Sequence, residues 1–301
     1  MKIINFGSLN VDKVYGLSHI VKPGETIASD SLNTYSGGKG LNQSIAAARA
    51  GAEVMHMGAI GDDGEFLIDV LKEAGVFTDD ILRLSTSSGH AIIQVDRSGQ
   101  NSIFTFGGAN RQLTREYILS CLECAEQGDF VLLQNETNEI GTIISEAAKR
   151  ALTVVFNPSP LTDGIAALPL QDVGLFMVNE IEGAELAGMS ENDAPEKILD
   201  ALCGRYPHSD VVMTLGTRGV VCRIGGEFFS QNAFKVNAVD TTAAGDTFCG
   251  YFLASRCKGY DVKKSLLYAS AASGISVSRA GAAPSIPVEN EVRTFLAENR
   301  G

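Results

Sequence analysis

A chain of 301 residues that is 45% hydrophobic and 20% charged can bury a sizeable core, as one large domain or two small ones. Its formal net charge of −12 and sequence pI near 4.8 repel a phosphate backbone, so nucleic acid is excluded as a partner and a small molecule is expected. No apolar run approaches the about 18 residues of a membrane span, and the opening MKIINFGSLN turns polar too soon for a signal peptide, so no membrane partner and a cytoplasmic location are expected.

In chain order, KIINF predicts a first strand and ASDSLNTYSGG, after the turn KPGET, a second extended segment. LNQSIAAARAGA then predicts a helix, VMHMG a strand and EFLIDVLKEAG another helix. HAIIQVD and NSIFTF flank the turn RSGQ and read as a hairpin. TREYILSCLECAEQ is helical, and from there strand and helix patterns alternate through DFVLLQ, EIGTIISEAAKR, LTVVFNP, LFMVNE and VVMTLG. Such alternation is what a parallel sheet with crossover helices requires, so the fold class is α/β, and no linker or fixed-period repeat divides the chain. The two interruptions, about residues 11–36 and 89–107, predict an antiparallel patch that serves as a lid or a dimerisation edge. Cys203, Cys222, Cys249 and Cys257 are expected as small buried hydrophobes, and the C-x-x-C of Cys121 and Cys124 as chance spacing on a helix.

The stretch VDTTAAGDTFCG, Val239 to Gly250, carries the strongest chemical signal. Helical character starts sharply at Gly245, which puts the small residues before it at a helix N-terminus. Unpaired N–H groups and a dipole of about +0.5 charge bind an anion there, and only small side chains let a phosphate reach the backbone. A carboxylate at Asp246 would repel ground-state phosphate but suits accepting a proton from an attacking hydroxyl; the alternative is an acidic residue that stabilises its own helix by about 0.3–1 kcal/mol. Asn10 and Asp12 follow the first strand, where an α/β sheet puts its ligands, and a carboxylate there can accept hydrogen bonds from two neighbouring hydroxyls.

Asp240, Thr241, Thr242, Ala243, Ala244, Gly245 and Asp246 resemble the D-T-x-G/A-A-G-D signature of the ribokinase-like sugar kinases, the phosphofructokinase-B type family. The N-terminal half resembles the family's other signature through SGGKGLNQSIAAARAGAEVMHMGAIGDDGEF, with Gly37, Gly38, Lys39, Gly40 and Asn42. GSLNVD, PGET, GGAN, NPSP, TLGTRG and RAGAAPSIP extend the likeness through nearly the whole chain. The resemblance implies a single ribokinase-like domain, 1–301, with three layers: a central mostly parallel sheet, helices on both faces, and a small β-sheet lid that is often shared across a homodimer.

It also implies roles. Asn10, Asp12, Gly38, Lys39, Gly40 and Asn42 would face the sugar, and Glu136 would lie near its anomeric hydroxyl. Asn135, Thr137 and Asn138 depart from the family's pattern, which predicts a change at the distal end of the sugar pocket. Asn179 and Glu182 match an N-x-x-E that organises Mg²⁺ and phosphate through water. Thr214, Gly216 and Gly219 match the nucleotide-binding turn, and the adenine-side position, often His or Asn, falls on Ser270. Asp240, Thr242, Ser276, Arg279, Gly281 and Ser285 match a site for a monovalent cation such as K⁺, with much of the binding by main-chain carbonyls.

The expected reaction is ATP-dependent: Asp246 takes the proton of a primary sugar hydroxyl while the N–H groups of Ala243, Ala244 and Gly245 stabilise the transferring γ-phosphate. Ribose heads the expected substrates, ahead of fructose, deoxyribose or another furanose or ketose, and then a nucleoside. A sugar or nucleotide sensor without catalysis is the alternative of a different class, although it would be expected to have lost Asp246. The P-loop pattern fails because Asn33 stands at its first glycine and Gly40 follows Lys39. FGSLN lacks the dinucleotide-binding glycines, and the S-x-x-K of Ser36 to Lys39 has neither of its companion motifs.

Overall fold

The computed structural model describes residues 1–299. The chain runs through β1 (Ile3–Phe6), β2 (Asn10–Leu17), β3 (Ser31–Gly37), α1 (Lys39–Arg49), β4 (Val54–Met57), β5 (Ala59–Ile60), α2 (Glu65–Glu73), β6 (Leu82–Arg83), β7 (Gly89–Asp96), β8 (Asn101–Phe106) and α3 (Arg115–Cys121). It continues as β9 (Phe130–Gln134), α4 (Ile140–Lys149), β10 (Thr153–Asn157), β11 (Leu175–Asn179), α5 (Glu180–Ala187), α6 (Pro195–Arg205), β12 (Asp210–Thr214), β13 (Val220–Ile224), β14 (Glu227–Gln231), α7 (Ala244–Cys257), α8 (Val262–Val277) and α9 (Glu289–Glu298).

Eight strands form the main sheet in the order β14-β13-β12-β11-β10-β9-β1-β4. It is parallel from β4 to β12 and antiparallel at β13 and β14. Successive side chains of a strand point to opposite faces, and the two apolar cores follow that parity. Ile3, Leu132, Val155, Leu175 and Val212 pack on one face with α1, α2, α7, α8 and α9. Ile4, Val131, Leu133, Val154, Phe156 and Val211 pack on the other with α3, α4, α5 and α6. A sheet covered on both faces explains why its strands read as nearly continuous apolar runs.

The smaller sheet has the order β3-β2-β7-β8. β7 and β8 form the hairpin expected across RSGQ. The earlier segment contributes one strand, β3, which pairs back on β2, while β2 pairs in parallel with β7. This sheet begins at Asn10, because β2 extends from the carboxyl end of β1 after only three residues, Gly7 to Leu9.

Two close approaches seat the site. A Cβ on Gly250 would lie 2.5 Å from that of Ala46, so α7 meets α1 backbone to backbone. A Cβ on Gly40 would overlap Gly7 and the Ser8 nitrogen, so α1 starts hard against the end of β1. All six cysteines are free thiols; Cys222 and Cys249 are buried as expected, but Cys203 and Cys257 are only half-buried, because each sits near the end of its helix. Among the described residues no helix is long and apolar enough to cross a membrane.

Candidate active site

The residues singled out in the sequence collect at the carboxyl ends of the parallel strands, where an open α/β sheet leaves its crevice. Ser8 follows β1, Glu136 follows β9, Asn157 and Asn179 end β10 and β11, and Thr214 ends β12. α7 points its N-terminus at this edge. It begins at Ala244, one residue earlier than the sequence pattern implies, because Ala243 turns left-handed at φ 59° and caps it. A non-glycine residue in that region costs about 1–2 kcal/mol, and here the strain sits at the start of the expected anion cradle.

Asp246, in the first turn of α7, is 7% exposed. Asn42 Nδ2 donates to its Oδ2 at 3.1 Å and Gln43 Nε2 to its Oδ1 at 2.9 Å. Both donors come from α1. The Asn42 side-chain oxygen is buried with no partner among the described residues, which leaves an acceptor for a ligand hydroxyl.

On the lid side, Glu136 Oε2 accepts hydrogen bonds from Lys39 N at 2.9 Å and from the Ser8 hydroxyl, and Ser8 Oγ accepts one from Gly40 N at 3.2 Å. Glu136 thus satisfies the exposed N–H of α1, a helix whose first turn carries no acidic residue of its own. Gly38, at φ 99°, makes the turn into that helix. Burial, and then the neighbouring Glu136 charge, push the Asp12 carboxyl up to about 7. Asn10 Oδ1 accepts from Asn110 Nδ2 at 2.8 Å, while Asn110 Oδ1 accepts from Leu9 N at 3.0 Å, so Asn110 orients the Asn10 amide.

Asn135, where a change at the distal end of this pocket is expected, has its side-chain amide committed to the protein. Its amide donates to Pro160 O at 2.6 Å and Thr162 Oγ1 at 3.0 Å, fastening the loop after β10. Asn138 likewise bonds both ways to the Leu113 backbone.

A cavity of about 450 Å³ opens at Asp246, lined by Lys39, Asn179, Glu182, Thr214, Gly216 and Ala243 to Asp246 among others. Lys39, whose backbone N–H Glu136 accepts, and Asp246, held by Asn42 and Gln43, are thus both on this wall. Burial would lower the Lys39 ammonium, but the charges of Asp246, Glu136 and Glu182 outweigh it and raise it. A Cβ on Gly245 would meet no protein atom within 4 Å, so the space over the start of α7 is open to a ligand. Ser273 on α8 donates to Ala244 O at 3.0 Å and holds this turn from behind. Gly219 and the buried Ser270 are not part of the cavity wall. Gly219, at φ 100°, shapes the turn instead, its carbonyl accepting from Leu215 N at 2.7 Å.

Asn179 and Glu182 form a capping box on α5: Asn179 Oδ1 accepts from Glu182 N at 2.8 Å and Glu182 Oε2 from Asn179 N at 3.0 Å. One Glu182 oxygen remains for the cavity. Asp240 Oδ1 accepts from Thr242 N and Oγ1 at 2.9 and 2.6 Å, and its Oδ2 accepts from Gly281 N at 2.9 Å. Burial works to raise Asp240, but these bonds outweigh it and hold its carboxyl low. The structure thus joins the two loops expected around a monovalent cation. Ser276 and Ser285 pair with each other, fully buried, at 2.8 Å, and the Arg279 side chain turns away to Glu291 at 2.6 Å, leaving only its main chain for that site.

A parallel α/β sheet that gathers a buried carboxylate, amide donors and an open helix start at its carboxyl edge belongs to the class of ligand-binding α/β enzymes. Residues 2–289 match the family described as pfkB family carbohydrate kinase, and the chain belongs to that family. It is 34% identical over 299 residues to the ribokinase of Haemophilus influenzae, with 96% of each chain covered. The ribokinase structure from Thermotoga maritima matches with a TM-score of 0.86 at 35% identity over 99% of each chain. The structure of Arabidopsis thaliana ribokinase complexed with ribose and ATP matches with a TM-score of 0.85 at 28% identity over 98% of each.

Proposed function

We propose that this carbohydrate kinase transfers the γ-phosphate of ATP to the primary hydroxyl of D-ribose, giving ribose 5-phosphate. The observation that carries the reading is the position of Asp246, gripped by two α1 amides on the wall of the cavity over the start of α7. Asn10, Asp12, Lys39, Asn42 and Glu136 offer the acceptors and donors a polyhydroxylated sugar needs, and a relative of matching length and 34% identity is named ribokinase.

Asp246 accepts the proton of the attacking hydroxyl, and its two amide donors keep its oxygens aimed. The N–H groups of Ala243 to Gly245, with the dipole of α7, stabilise the charge on the transferring phosphoryl oxygens. The Lys39 ammonium balances the carboxylates on both sides of it. Thr214, Gly216 and Gly219 form the nucleotide turn, and Ser270 stands at the adenine-side position of the family's pattern. Mg²⁺, when bound, would supply positive charge against the nucleotide phosphates. Asn179 and the free Glu182 oxygen would hold it through water, a donor set that fits an ion reluctant to shed its hydration shell. K⁺ would lie against the loop of Asp240 and Thr242 and the loop of Ser276, Arg279, Gly281 and Ser285, where oxygens suit a hard ion.

Residues 1–301 then act as one domain in the cytoplasm, where ATP is at hand, as a dimer through the lid. Leu32 and Tyr35 on β3 and Ile103, Phe104 and Phe106 on β8 are each more than half exposed, which favours a partner on the lid's edges. The test is ATP-dependent ADP release with D-ribose, fructose, deoxyribose and adenosine, each in potassium and in sodium buffer. Turnover that prefers ribose and rises with potassium is expected. Activity confined to another acceptor overturns the ribose assignment, and silence on all overturns the mechanism.

A further inference from the structure

Gln43 is fully buried and is not part of the wall of the cavity at Asp246, yet its side chain touches the carboxylate on which the proposed reaction depends. Both hydrogens of its amide are committed: Nε2 donates to Asp246 Oδ1 at 2.9 Å and to Asn157 Oδ1 at 3.0 Å. Its oxygen is committed too, accepting from Gln134 Nε2 at 2.8 Å. Gln134 Nε2 also donates to Asn5 Oδ1 at 3.0 Å. Three strands, β1, β9 and β10, and the two helices α1 and α7 are tied together by this line of amides.

The sense of the line is fixed at both ends by backbone carbonyls, which cannot be turned round. Asn157 Nδ2 donates to Met177 O at 2.8 Å, so Asn157 must present its oxygen to Gln43. Asn5 Nδ2 donates to Gly40 O at 2.8 Å and to Ser44 Oγ at 2.8 Å, so Asn5 must present its oxygen to Gln134. Each amide in turn allows only one orientation of the next. Beyond Asn5, Ser44 bonds His56 Nδ1 at 2.8 Å, and burial pushes that imidazole down to about 4, so no positive charge enters the line at neutral pH. A reversed Gln43 would set two donors against each other at Gln134 and aim an oxygen at Asp246.

We propose that Gln43 is a positioning residue for phosphoryl transfer: the anchored amide line Asn5–Gln134–Gln43–Asn157 holds its N–H on Asp246 Oδ1, so that the free lone pairs of the carboxylate point at the acceptor hydroxyl. The inference rests on Asp246 being the proton acceptor. It assigns a catalytic consequence to a residue that meets neither substrate.

The experiment is a double-mutant cycle on the full chain with Gln43→Met, which keeps the volume and removes the donors, and Asp246→Asn. Turnover and KM for ribose and ATP are measured with the melting temperature of each variant. Loss of one charge-assisted hydrogen bond to a base predicts about a 10- to 100-fold fall in kcat for Gln43→Met, with both KM values within about twofold. In the Asp246→Asn background the same change should cost under about threefold, because the group it positions is gone. Gln43→Glu, which keeps the acceptor toward Gln134 but sets an acid against Asp246, should not rescue kcat. An inactive Asp246→Asn with normal turnover for Gln43→Met overturns this inference alone. Equal losses from Gln43→Met in both backgrounds overturn it as well, since a packing defect acts without Asp246. An active Asp246→Asn overturns the base assignment and the inference with it.

Discussion

The substitution Gly245→Ala separates the folding role of the α7 N-terminus from its chemical one, because the two respond in opposite directions. Gly245 is the second residue of α7 and its φ is not in the left-handed region, so alanine adopts its conformation without strain. The added Cβ would meet no protein atom within 4 Å. Replacing glycine by alanine inside a helix stabilises by about 0.5–1 kcal/mol, through the unfolded chain as well as the helix. The first turn lies at the lower end of that range, which for a chain this size corresponds to a rise in Tm of about 1–2 °C.

The same methyl group projects into the cavity over the helix start, where the proposed reading puts the phosphoryl oxygens. Pushing a phosphate off one N–H donor costs on the order of 10²–10³-fold in kcat, the usual loss for one anion-hole hydrogen bond. Calorimetry on the free protein gives the first quantity and steady-state ADP release the second. A third reading checks that both share one cause: saturating ATP, which at about 100 times its Kd adds about 2.7 kcal/mol to the stability of the parent, should add visibly less to the variant. A variant that is more stable and turns over normally would refute the anion hole at Ala243 to Gly245. A variant that is less stable would refute the packing argument.

Four further outcomes follow from the geometry. Asp246→Asn should lower kcat by about 10²–10⁴-fold while its remaining oxygen still accepts from Gln43 and Asn42 turns its own oxygen to the new amide, so near-normal turnover in steady-state assays removes it as the proton acceptor. Asp12 is raised to about 7, so it is mostly neutral below that pH and accepts sugar hydroxyls best above it. The pH profile of kcat/KM for the sugar should therefore climb about tenfold per unit towards pH 7 and then level off, and Asp12→Asn should remove that limb; a flat profile from about pH 5.5 to 8 in the parent contradicts it. A Cβ on Gly37 would overlap the Asp12 carboxylate, the movable end of a side chain, so Gly37→Ala should raise KM for the sugar by more than about tenfold with little change in Tm; unchanged KM would separate Asp12 from the sugar. Phe104→Glu, on a lid strand where Phe104 is 57% exposed, should shift the protein to monomer in analytical ultracentrifugation, and a dimer that persists rules out this edge of the lid.

The parts of this site that the sequence exposes are those written in local signals. A sharp onset of helical spacing after small residues marks the start of α7 to within a residue, and the left-handed Ala243 accounts for the difference. The strands are legible because both faces of the sheet are buried, so their runs are apolar throughout. What stays hidden is carried by pairings between distant segments. Gln43 sits next to Asn42 in a glycine-rich motif, and no local signal in the sequence sets it apart. It becomes buried only because Gly250 lets α7 lie against α1, and its partners Asp246 and Gln134 lie 203 and 91 residues away. Asn135 and Arg279 show the converse. Each stands in or beside a motif that points to a ligand, yet the fold spends one side chain on Pro160 and Thr162 and the other on Glu291. A residue type at a motif position therefore sets which chemistry is available, and only the hydrogen-bond partners decide whether that chemistry faces the substrate or holds the frame.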